Sequence, residues 1–392
     1  MKDYVTNSLL CKQDLFFYFL LSLFFFILLI VSPLALLYGV ILLFIVVNIK
    51  SLIVRGMCEL YISFAVAFIT ASIKINYGPG DDFYNVYVPV FESIRNGVSI
   101  FSFFSGGVEF GLPLFFYFIS VFFPNITYIE LNWIVTFCLS LFFFVWVERF
   151  FLKGIEPKYR CIALASILMF FNYMILSHLM RQALATIFIL YSIGFFIEKS
   201  YKKTFIFFIF ACLCHLTSVI IAPIFFVFLS NKSFYKNLLL IVIFLSSVGF
   251  NLVVSFVLSS GLLSVATYKF EFYDQNTIET TAGAGFIFHF LVLFIFTFFI
   301  NDNIDRPYKS LIRYSCPAYL SLVVIPFASD RLFMPITAFM LGGLFFICLK
   351  NKLLYFKIAL IAYCVLRFLR LGIFSDNIYL LWSNYPWLGP FF

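Results

Sequence analysis

The stretch SHLMRQALATIFIL, residues 177–190, places a cation and an amide between long apolar runs of the sequence. Arg181 and Gln182 open a predicted apolar helix, where a guanidinium and the free backbone N–H groups of the first turn converge. This combination is suited to binding a phosphate or a diphosphate. Two alternatives remain open: Arg181 extends to the membrane interface, or it pairs with an acid such as Asp330.

A second candidate cation, Arg331, follows Asp330 in a short polar segment between two apolar runs. Charged residues beside apolar membrane segments are generally paired or functional, so we expect Arg331 to bind the same anion as Arg181. A local ion pair between Arg331 and Asp330 is the structural alternative, and an exposed pair of this kind contributes only about 0–1 kcal/mol. Lys269, in a polar stretch before it, is a further candidate for substrate binding.

Acidic residues and one histidine are candidates for proton transfer and for substrate contacts. Asp81 and Asp82 precede a set of aromatics, among them Tyr87, that lie near one face of a predicted helix. Either acid is a candidate general base for a sugar hydroxyl, and the alternative is that both cap the helix. Glu109 precedes a short apolar helix, and His215 in CHLTSV is either a general base or a buried hydrogen-bond donor.

The elements that position these side chains are predicted to be membrane helices. The chain of 392 residues is 64% hydrophobic and 11% charged, and apolar runs long enough to span a bilayer recur from residue 15 to residue 374. We predict an all-α polytopic integral membrane protein, with residues 1–392 in a single domain. It would contain about 11 full transmembrane helices plus re-entrant or interfacial helices.

Basic residues cluster in the short gaps between apolar runs, which indicates that these gaps face the cytoplasm. Residues 76–127 and 259–283 are then predicted as large loops on the opposite face. Within the first loop, residues 112–123 form a helix that rises about 18 Å, too short to cross a core of about 30 Å. Residues 204–229 carry cations at both ends and are predicted to be two half-helices that meet at His215.

The remaining polar residues lie in short connections between predicted spans. Spans at 161–177 and 182–197 flank a turn that contains Arg181, and spans at 314–328 and 332–349 flank a minimal turn at residues 329–331. Both arginines are therefore predicted on the non-cytoplasmic face.

Composition also limits the ligands that we expect. The nine cysteines show no CxxC or histidine-flanked spacing, so we interpret them as small packing residues and expect no metal and no cofactor. The formal net charge of +8 is concentrated in the membrane-flanking loops, so it does not call for a nucleic acid partner.

Several of these features occur in an order that resembles a known family. These are Gly80-Asp81-Asp82 with a downstream tyrosine, Glu109 before a short helix led by Gly and Pro, MRQALA opening a span, and HLTS at His215. Between residues 57 and 230 they resemble the Wzy-type O-antigen and exopolysaccharide polymerases of bacterial inner membranes, specifically the EpsG-like branch. The family often has Glu-Pro-Gly where this chain has Glu109-Phe110-Gly111.

The resemblance implies a GT-C-like arrangement of helices and a multi-pass inner-membrane enzyme whose active site faces the periplasm. Such an enzyme transfers a glycan from one undecaprenyl-diphosphate carrier to another carrier-linked repeat unit, without a nucleotide sugar. Its partners would be these carrier-linked oligosaccharides and membrane lipids, with a chain-length regulator protein as a further candidate. We expect Arg181 and Arg331 to bind the diphosphate and Asp82 or His215 to act as the base. The expected substrate-binding residues are Asp81, Tyr87, Glu109, Gln182, Asp330 and Lys269.

Two other functions share part of this pattern. A transporter that flips lipid-linked oligosaccharides would place charges in a cavity at the bilayer midplane with access to both faces. Here the predicted spans carry few charges near their centres, which favours an enzyme acting at one face. An O-antigen ligase, or another glycosyltransferase that uses lipid-linked sugars, would use the same arginine chemistry, and composition does not distinguish it from a polymerase.

Overall fold

The computed structural model describes residues 12–77, 82–249, 284–299, 306–323, 325 and 328–371, and the regular secondary structure in these ranges is helical. The helices are α1 (Lys12–Val31), α2 (Pro33–Val46), α3 (Leu52–Tyr77), α4 (Val88–Arg95), α5 (Gly111–Phe122), α6 (Tyr128–Trp146), α7 (Arg160–Phe170), α8 (Ile175–His178), α9 (Met180–Ile197), α10 (Tyr201–Cys214), α11 (Ser218–Leu229), α12 (Ser233–Val248), α13 (Ala284–Phe299), α14 (Arg306–Leu322), α15 (Ala328–Leu332), α16 (Leu341–Leu349) and α17 (Leu353–Leu371). Single π-helical turns at Phe83–Tyr87 and Pro335–Met340 lead into α4 and α16, and a third, Val147–Phe151, extends α6.

The apolar composition of these helices supports the prediction of an all-helical membrane protein. Among the described residues, three helical segments are long and apolar enough to cross a membrane: Leu52–Lys74, Tyr128–Gly154 and Met180–Ile197. Shorter apolar helices of 10–17 residues accompany them. The number of eleven spans and the GT-C-like arrangement stay predictions, and the predicted loop at 259–283 lies outside the described residues.

Local sequence explains where several helices begin. The Ser32 hydroxyl accepts a hydrogen bond from the Ala35 N–H at 3.2 Å, and Pro33 occupies the first helical position, so the chain turns sharply from α1 into α2. At the start of α6, Thr127 and Glu130 form a reciprocal capping box. The Glu130 carboxylate accepts the Thr127 N–H at 2.6 Å, which fixes where the chain re-enters a long helix.

The core is built from closely packed helix pairs. α3 packs along α6, α9 packs along α10, and α7 lies between α2 and α16. The contact of α7 with α16 requires a glycine, because a Cβ at Gly342 would lie 1.9 Å from the carbonyl oxygen of Ser166. The Ser166 hydroxyl donates to the Gly342 carbonyl at 2.6 Å, so a buried polar pair stabilises this close approach.

The predicted span at 161–177 is broken in the structure. α7 ends at Phe170, and a non-helical stretch separates it from the single turn of α8. The Asn172 N–H donates to the Ala338 carbonyl at 2.9 Å, so the π-helical turn before α16 accepts a backbone donor that the break releases. The hydropathy pattern contains no signal for this tertiary hydrogen bond, which is why the break was not predicted.

Other predicted boundaries differ in both directions. The span predicted at 314–328 begins earlier, at Arg306, and ends at Leu322, and residues 329–331 lie in the short helix α15 instead of a turn. The predicted short helices lie close to their expected positions: α5 covers Gly111–Phe122 instead of 112–123, and α10 (Tyr201–Cys214) and α11 (Ser218–Leu229) flank His215, with α10 beginning before the predicted 204.

Candidate functional site

Glu109 connects three separate parts of the chain at one end of the helical bundle. Its side chain is 3% exposed, and Oε2 accepts a hydrogen bond from Arg181 Nη1 at 2.5 Å. The other oxygen, Oε1, accepts the backbone N–H of Leu216 at 2.8 Å and lies 3.3 Å from Nδ1 of His215. The carboxylate therefore fixes the positions of both the guanidinium and the imidazole.

The loop before α5 can place Glu109 there because of its glycines. Gly107 adopts a φ of +89°, and a Cβ at this position would lie 2.1 Å from the Phe101 carbonyl oxygen. At Gly111, a Cβ would lie 2.4 Å from Cys214 Sγ, so the start of α5 rests directly against the end of α10. Glu109, two residues earlier, is thereby held against the junction of α10 and α11.

His215 occupies that junction in an extended conformation, with φ −158° and ψ 123°. The extended residue interrupts the helix, and the next N–H, that of Leu216, is left to donate to Glu109. The side chain of His215 is 16% exposed, and the Thr217 hydroxyl lies 3.4 Å from its Nδ1. Nδ1 therefore faces both the Glu109 carboxylate and the Thr217 N–H, which lies 3.4 Å away, and in the tautomer that carries its proton on Nδ1 the acceptor is Nε2.

Arg181 lies in the first turn of α9, as predicted from the sequence. The centre of its guanidinium is 3.8 Å from the centroid of the Phe104 ring, a cation–π contact from the same loop that carries Glu109. Its side chain is 24% exposed, and Nε is buried without a hydrogen-bond partner among the described residues. Arg181 is held on one side by Glu109 and Phe104 and keeps N–H donors for a ligand. The alternative pairing with Asp330 is not the one observed.

The ion pair keeps Glu109 charged. Burial alone would raise the pKa of the carboxyl group. Hydrogen bonds from His215 and from the Leu216 N–H, together with the charges of His215 and Arg181, outweigh this effect and lower the pKa to about 2. Glu109 is therefore a permanent anion that orients its neighbours, and it is poorly suited to accept a proton from a substrate.

A second polar cluster lies at the same end of the bundle and was not predicted. Lys74, fully buried near the end of α3, places Nζ 3.2 Å from Nδ1 of His178. The ammonium also lies 5.6 Å from the centroid of the Phe83 ring, and the Tyr84 hydroxyl donates to the Lys74 carbonyl at 2.9 Å. The sequence analysis assigns no role to Lys74. The available signal was a lone lysine at the end of a long apolar helix.

Tyr87 links the two clusters. Burial raises the pKa of its phenol, while the charge of Arg181 lowers it and that of Asp82 raises it further, so both charged groups lie close to this ring. Asp82 also acts on Lys74 and His178. Its side chain makes no capping hydrogen bond, which argues against the alternative role at the helix start. Tyr87 is 4% exposed, so it supports Arg181 and presents little surface for stacking a sugar.

The structure also brings the second predicted arginine towards Arg181. The Gln182 side chain, 3% exposed, donates to the backbone carbonyl of Arg331 at 2.9 Å, which fixes α15 against the start of α9. Asp330 accepts a hydrogen bond from Tyr319 at 2.6 Å. Burial raises the pKa of Asp330, and the Tyr319 hydroxyl lowers it in part. Gln182 and Asp330 thus hold the segment that carries Arg331, while Asp81 and Lys269 lie outside the described residues.

The start of α3 and the end of α9, which lie away from Lys74 and Arg181, carry ion pairs that contain several basic residues. Near the start of α3, Arg55 forms a bidentate pair with Glu148 at 2.8 and 3.1 Å. Beyond the end of α9, Glu198 pairs with Lys153 at 2.6 Å and with Arg149 at 3.5 Å. We call this the basic end, and the end that contains Lys74, Glu109, Arg181 and His215 the site end. The two ends are separated by the length of α3 and α9.

The site end combines a held arginine, a carboxylate–histidine pair and a buried lysine–histidine pair. This set can bind an anionic group and accept a proton from a nearby hydroxyl. Comparison with known proteins supplies one match: residues 59–387 match the family model described as the EpsG family. No curated protein and no solved structure shows significant similarity to the chain.

Proposed function

Because this chain belongs to the EpsG family, we propose that it is a polysaccharide polymerase that uses lipid-diphosphate donors. It transfers a glycan from one undecaprenyl-diphosphate carrier to a carrier-linked repeat unit of O-antigen or a related surface polysaccharide. The reaction takes place at the periplasmic face of the bacterial inner membrane. Family membership supports the polymerase-like role, and the chemistry of the site end supports the choice of donor.

The observation that carries the proposal is the set of contacts around the guanidinium group of Arg181. One Nη of the guanidinium is fixed by Glu109, Phe104 covers its face, and Nε is buried without a partner among the described residues. The unfavourable desolvation of that N–H is relieved when an anion accepts it. A phosphoryl oxygen suits this role, because guanidinium binds phosphate through two parallel N–H bonds.

Transfer from a lipid diphosphate requires one bond to form and one to break. The acceptor hydroxyl oxygen attacks the anomeric carbon of the donor, the bond from that carbon to the diphosphate oxygen breaks, and its electron pair leaves with the diphosphate. The departing diphosphate gains negative charge, which Arg181 stabilises and which the backbone N–H groups at the start of α9 favour. Arg331, whose backbone carbonyl accepts a hydrogen bond from Gln182 at the same helix start, is the proposed second cation.

The hydroxyl proton passes to His215 in this mechanism. Glu109 lies 3.3 Å from Nδ1 of the ring, and with a proton held on that nitrogen Nε2 accepts the hydroxyl proton, as in other carboxylate–histidine pairs that act as general bases. Asp82 is the second candidate, because its charge acts on both Lys74 and Tyr87. Comparison of His215→Ala with Asp82→Asn separates the two. The variant that lacks the base is expected to lose about 100-fold or more in turnover.

The decisive experiment uses purified full-length protein in lipid nanodiscs and a carrier-linked repeat unit as the only substrate. Wild-type protein is expected to produce a ladder of elongated, carrier-linked glycan without added nucleotide sugar. Arg181→Ala is expected to abolish the ladder while the single repeat persists. Arg95→Ala is the matched control, since this arginine pairs with Glu92 on an exposed surface and is expected to leave the ladder unchanged.

Other outcomes identify the competing functions. Transfer of one glycan to a non-repeat acceptor without a ladder would indicate a ligase. Movement of the intact lipid-linked unit across a vesicle bilayer, without any new glycosidic bond, would indicate a transporter. Either result would contradict the polymerase proposal.

A further inference from the structure

A cavity of about 360 Å³ lies at the basic end of the molecule. Its walls come from the π-helical turn that extends α6 and the loop after it, from the end of α9, from the start of α14 and from the end of α16. The volume is within the range of about 300–1,000 Å³ that ligand sites occupy. None of the residues assigned to the proposed reaction lines this cavity, so its occupant is a separate question.

Two adjacent phenylalanines shape the cavity. Phe150 and Phe151 end the π-helical turn Val147–Phe151, a rare backbone form that often occurs at functional sites. Phe150 packs on α9, where a Cβ at Gly194 would lie 2.6 Å from its ring. Phe151 packs on α16, where a Cβ at Gly343 would lie 2.5 Å from its ring. The two rings are therefore held against different helices, and both line the cavity.

The wall continues with further aromatic side chains. Tyr308 at the start of α14 lies edge-on to Phe151, with ring centroids 5.6 Å apart. Phe346 and Tyr159 also line the cavity, and Phe346 is buried. This wall is suited to the apolar part of a ligand.

The charges at the cavity favour an anionic group. Among the described residues, Glu156 on its rim already pairs with Lys158 at 3.0 Å. Lys350 also lines the cavity, and its ammonium forms no ion pair or hydrogen bond with another residue that the structure describes. Nearby, Glu198 is shared by Lys153 and Arg149, so this cluster keeps a net positive charge. A ligand with one negative charge would complement Lys350.

The position of Lys350 relative to the membrane indicates the source of that charge. Lys350 lies just before α17, where Leu354 and Tyr355 are 68% and 72% exposed. Exposed apolar residues of a membrane helix face lipid, and tyrosine is enriched where the bilayer meets water. Lys350, five residues before Tyr355, is therefore placed near the level of the lipid phosphate groups.

We infer that this cavity binds an anionic phospholipid. The phosphate lies beside Lys350, and the glycerol and the first acyl carbons lie against the aromatic wall. Basic pockets between membrane helices bind the head groups of anionic lipids through the same combination of charge and apolar surface. A lipid bound there contacts α9, α14 and α16 together and stabilises the folded protein. The inference rests on the cavity and its charges and does not depend on the polymerase reaction.

Binding of lipid to the full-length protein in a neutral detergent tests the inference. Native mass spectrometry would measure the affinity for phosphatidylglycerol, which is anionic, and for phosphatidylcholine with the same acyl chains, which has no net charge. We expect wild-type protein to prefer phosphatidylglycerol and to melt at a higher temperature in its presence. Equal affinity for the two lipids would overturn the inference.

Substitution of Lys350 locates the preference. In Lys350→Gln, phosphatidylglycerol should bind about fivefold more weakly, the contribution of one basic residue at an anionic membrane surface, while phosphatidylcholine should be unaffected. Lys350→Arg keeps the charge and should retain the preference. The matched control is Lys352→Gln, because Lys352 is exposed two residues further on and does not line the cavity. Equal losses in the Lys350→Gln and Lys352→Gln proteins would indicate general attraction to a basic surface and would refute a specific site.

Cross-linking shows where the lipid lies. Phosphatidylglycerol with a photoreactive diazirine near the glycerol end of one acyl chain should label peptides that contain residues 150–159 or 346–351, and label them less in Lys350→Gln. Labelling confined to other segments contradicts the assignment. Glycerol 3-phosphate tests the soluble source of the same phosphate group, and we expect it not to compete. Displacement of the lipid by an equal concentration of glycerol 3-phosphate would assign the cavity to a soluble organic phosphate and overturn the lipid assignment.

Discussion

At the scale of single residues, the site depends on a carboxylate that does not itself accept the proton. Glu109 is buried and yet ionised, because Arg181 Nη1, the Leu216 N–H and Nδ1 of His215 all surround it. Removing such a group leaves its partners unsatisfied in a partly buried place, which costs more than the pair itself contributes. Its contribution should therefore be measurable as a dependence of stability on pH.

The first prediction concerns acid stability. The pKa of Glu109 is about 2 in the folded protein and about 4.5 in its ordinary state, so the unfolded chain takes up the proton first as the pH falls. The contribution of Glu109 is fully present above about pH 4.5 and is lost towards pH 2. The melting temperature of the wild type should thus fall more steeply between pH 4.5 and 2.5 than that of Glu109→Gln.

The control for this measurement is Glu156→Gln, because Glu156 is exposed and its ion pair among the described residues is with Lys158 in the same loop. This variant should keep the wild-type slope. His178 also titrates, because its pKa is lowered to about 4 from an ordinary 6.5. Its contribution to stability is lost as the pH falls from about 6.5 to 4, which is mostly above the range in which Glu109 titrates. Equal slopes for the wild type and Glu109→Gln below pH 4.5 would show that Glu109 is not the titrating group.

The second prediction concerns Arg181→Lys. A lysine retains the charge that pairs with Glu109, but its compact ammonium cannot also offer a second, parallel N–H to a phosphoryl oxygen. We expect the folded protein to persist and glycan elongation to slow by about 10- to 100-fold, corresponding to one lost charged hydrogen bond. Rates of ladder formation with matched Arg95→Lys protein provide the comparison. A rate equal to that of the wild type would show that charge alone is sufficient at position 181.

The sequence identified Arg181, Glu109 and His215 as separate candidates but not their connection. Glu109 lies 72 residues from Arg181 and 107 from Leu216, and one sequence contains no information on which of several acids reaches that arginine. Asp330 was the acid considered for that pairing, and only the packing of the loop before α5 excludes it. Lys74 and His178 were missed for the same reason, since their contact spans 104 residues.

At the scale of elements, the site depends on the contact between the start of α5 and the junction of α10 with α11. Gly111 permits this contact, and the extended backbone of His215 exposes the N–H that Glu109 accepts. The apolar length of the chain predicted both the short helix and the paired half-helices. It did not predict the break after Phe170, because the hydrogen bond from Asn172 to Ala338 that accompanies it joins segments far apart in sequence.

The third prediction tests this contact. In Gly111→Ala the new Cβ would lie 2.4 Å from Cys214 Sγ and 3.0 Å from its Cα, so α5 must shift away from α10. The shift would lengthen the hydrogen bond from Leu216 to Glu109, and we expect lower elongation activity with a modest fall in melting temperature. Gly39→Ala is the control, because the added Cβ meets no atom of another part of the described structure within 4 Å.

A second substitution makes the test specific. Cys214→Ala removes the sulfur that the Gly111→Ala side chain would meet, so the double variant should recover part of the activity lost by the single variant. Recovery would show that the loss of activity in Gly111→Ala arises from the contact between residues 111 and 214. A Gly111→Ala protein with full activity would show that the α5 contact does not control the position of Glu109.

At the scale of the whole molecule, the site and the basic residues lie at opposite ends of the same helices. Lys74 and Arg55 occupy the two ends of α3, and Arg181 and Glu198 occupy the two ends of α9, where Glu198 gathers Arg149 and Lys153. Loops rich in lysine and arginine are retained in the cytoplasm during membrane insertion. This polarity predicts that the site end faces the periplasm, where a lipid-linked glycan would be polymerised.

The last prediction tests this orientation by labelling engineered cysteines with a membrane-impermeant maleimide in cells whose outer membrane is permeabilised. Asn96→Cys lies in an exposed turn after α4 near the site end, and Lys158→Cys replaces an exposed lysine near the basic end. We expect Asn96→Cys to react while the inner membrane is intact and Lys158→Cys to react only after the cells are lysed. The unmodified protein controls for the native cysteines, none of which is fully exposed among the described residues. The reverse pattern would place Arg181 in the cytoplasm, where it could not meet a carrier-linked glycan in the periplasm, and would contradict the mechanism even if every contact at the site end were correct.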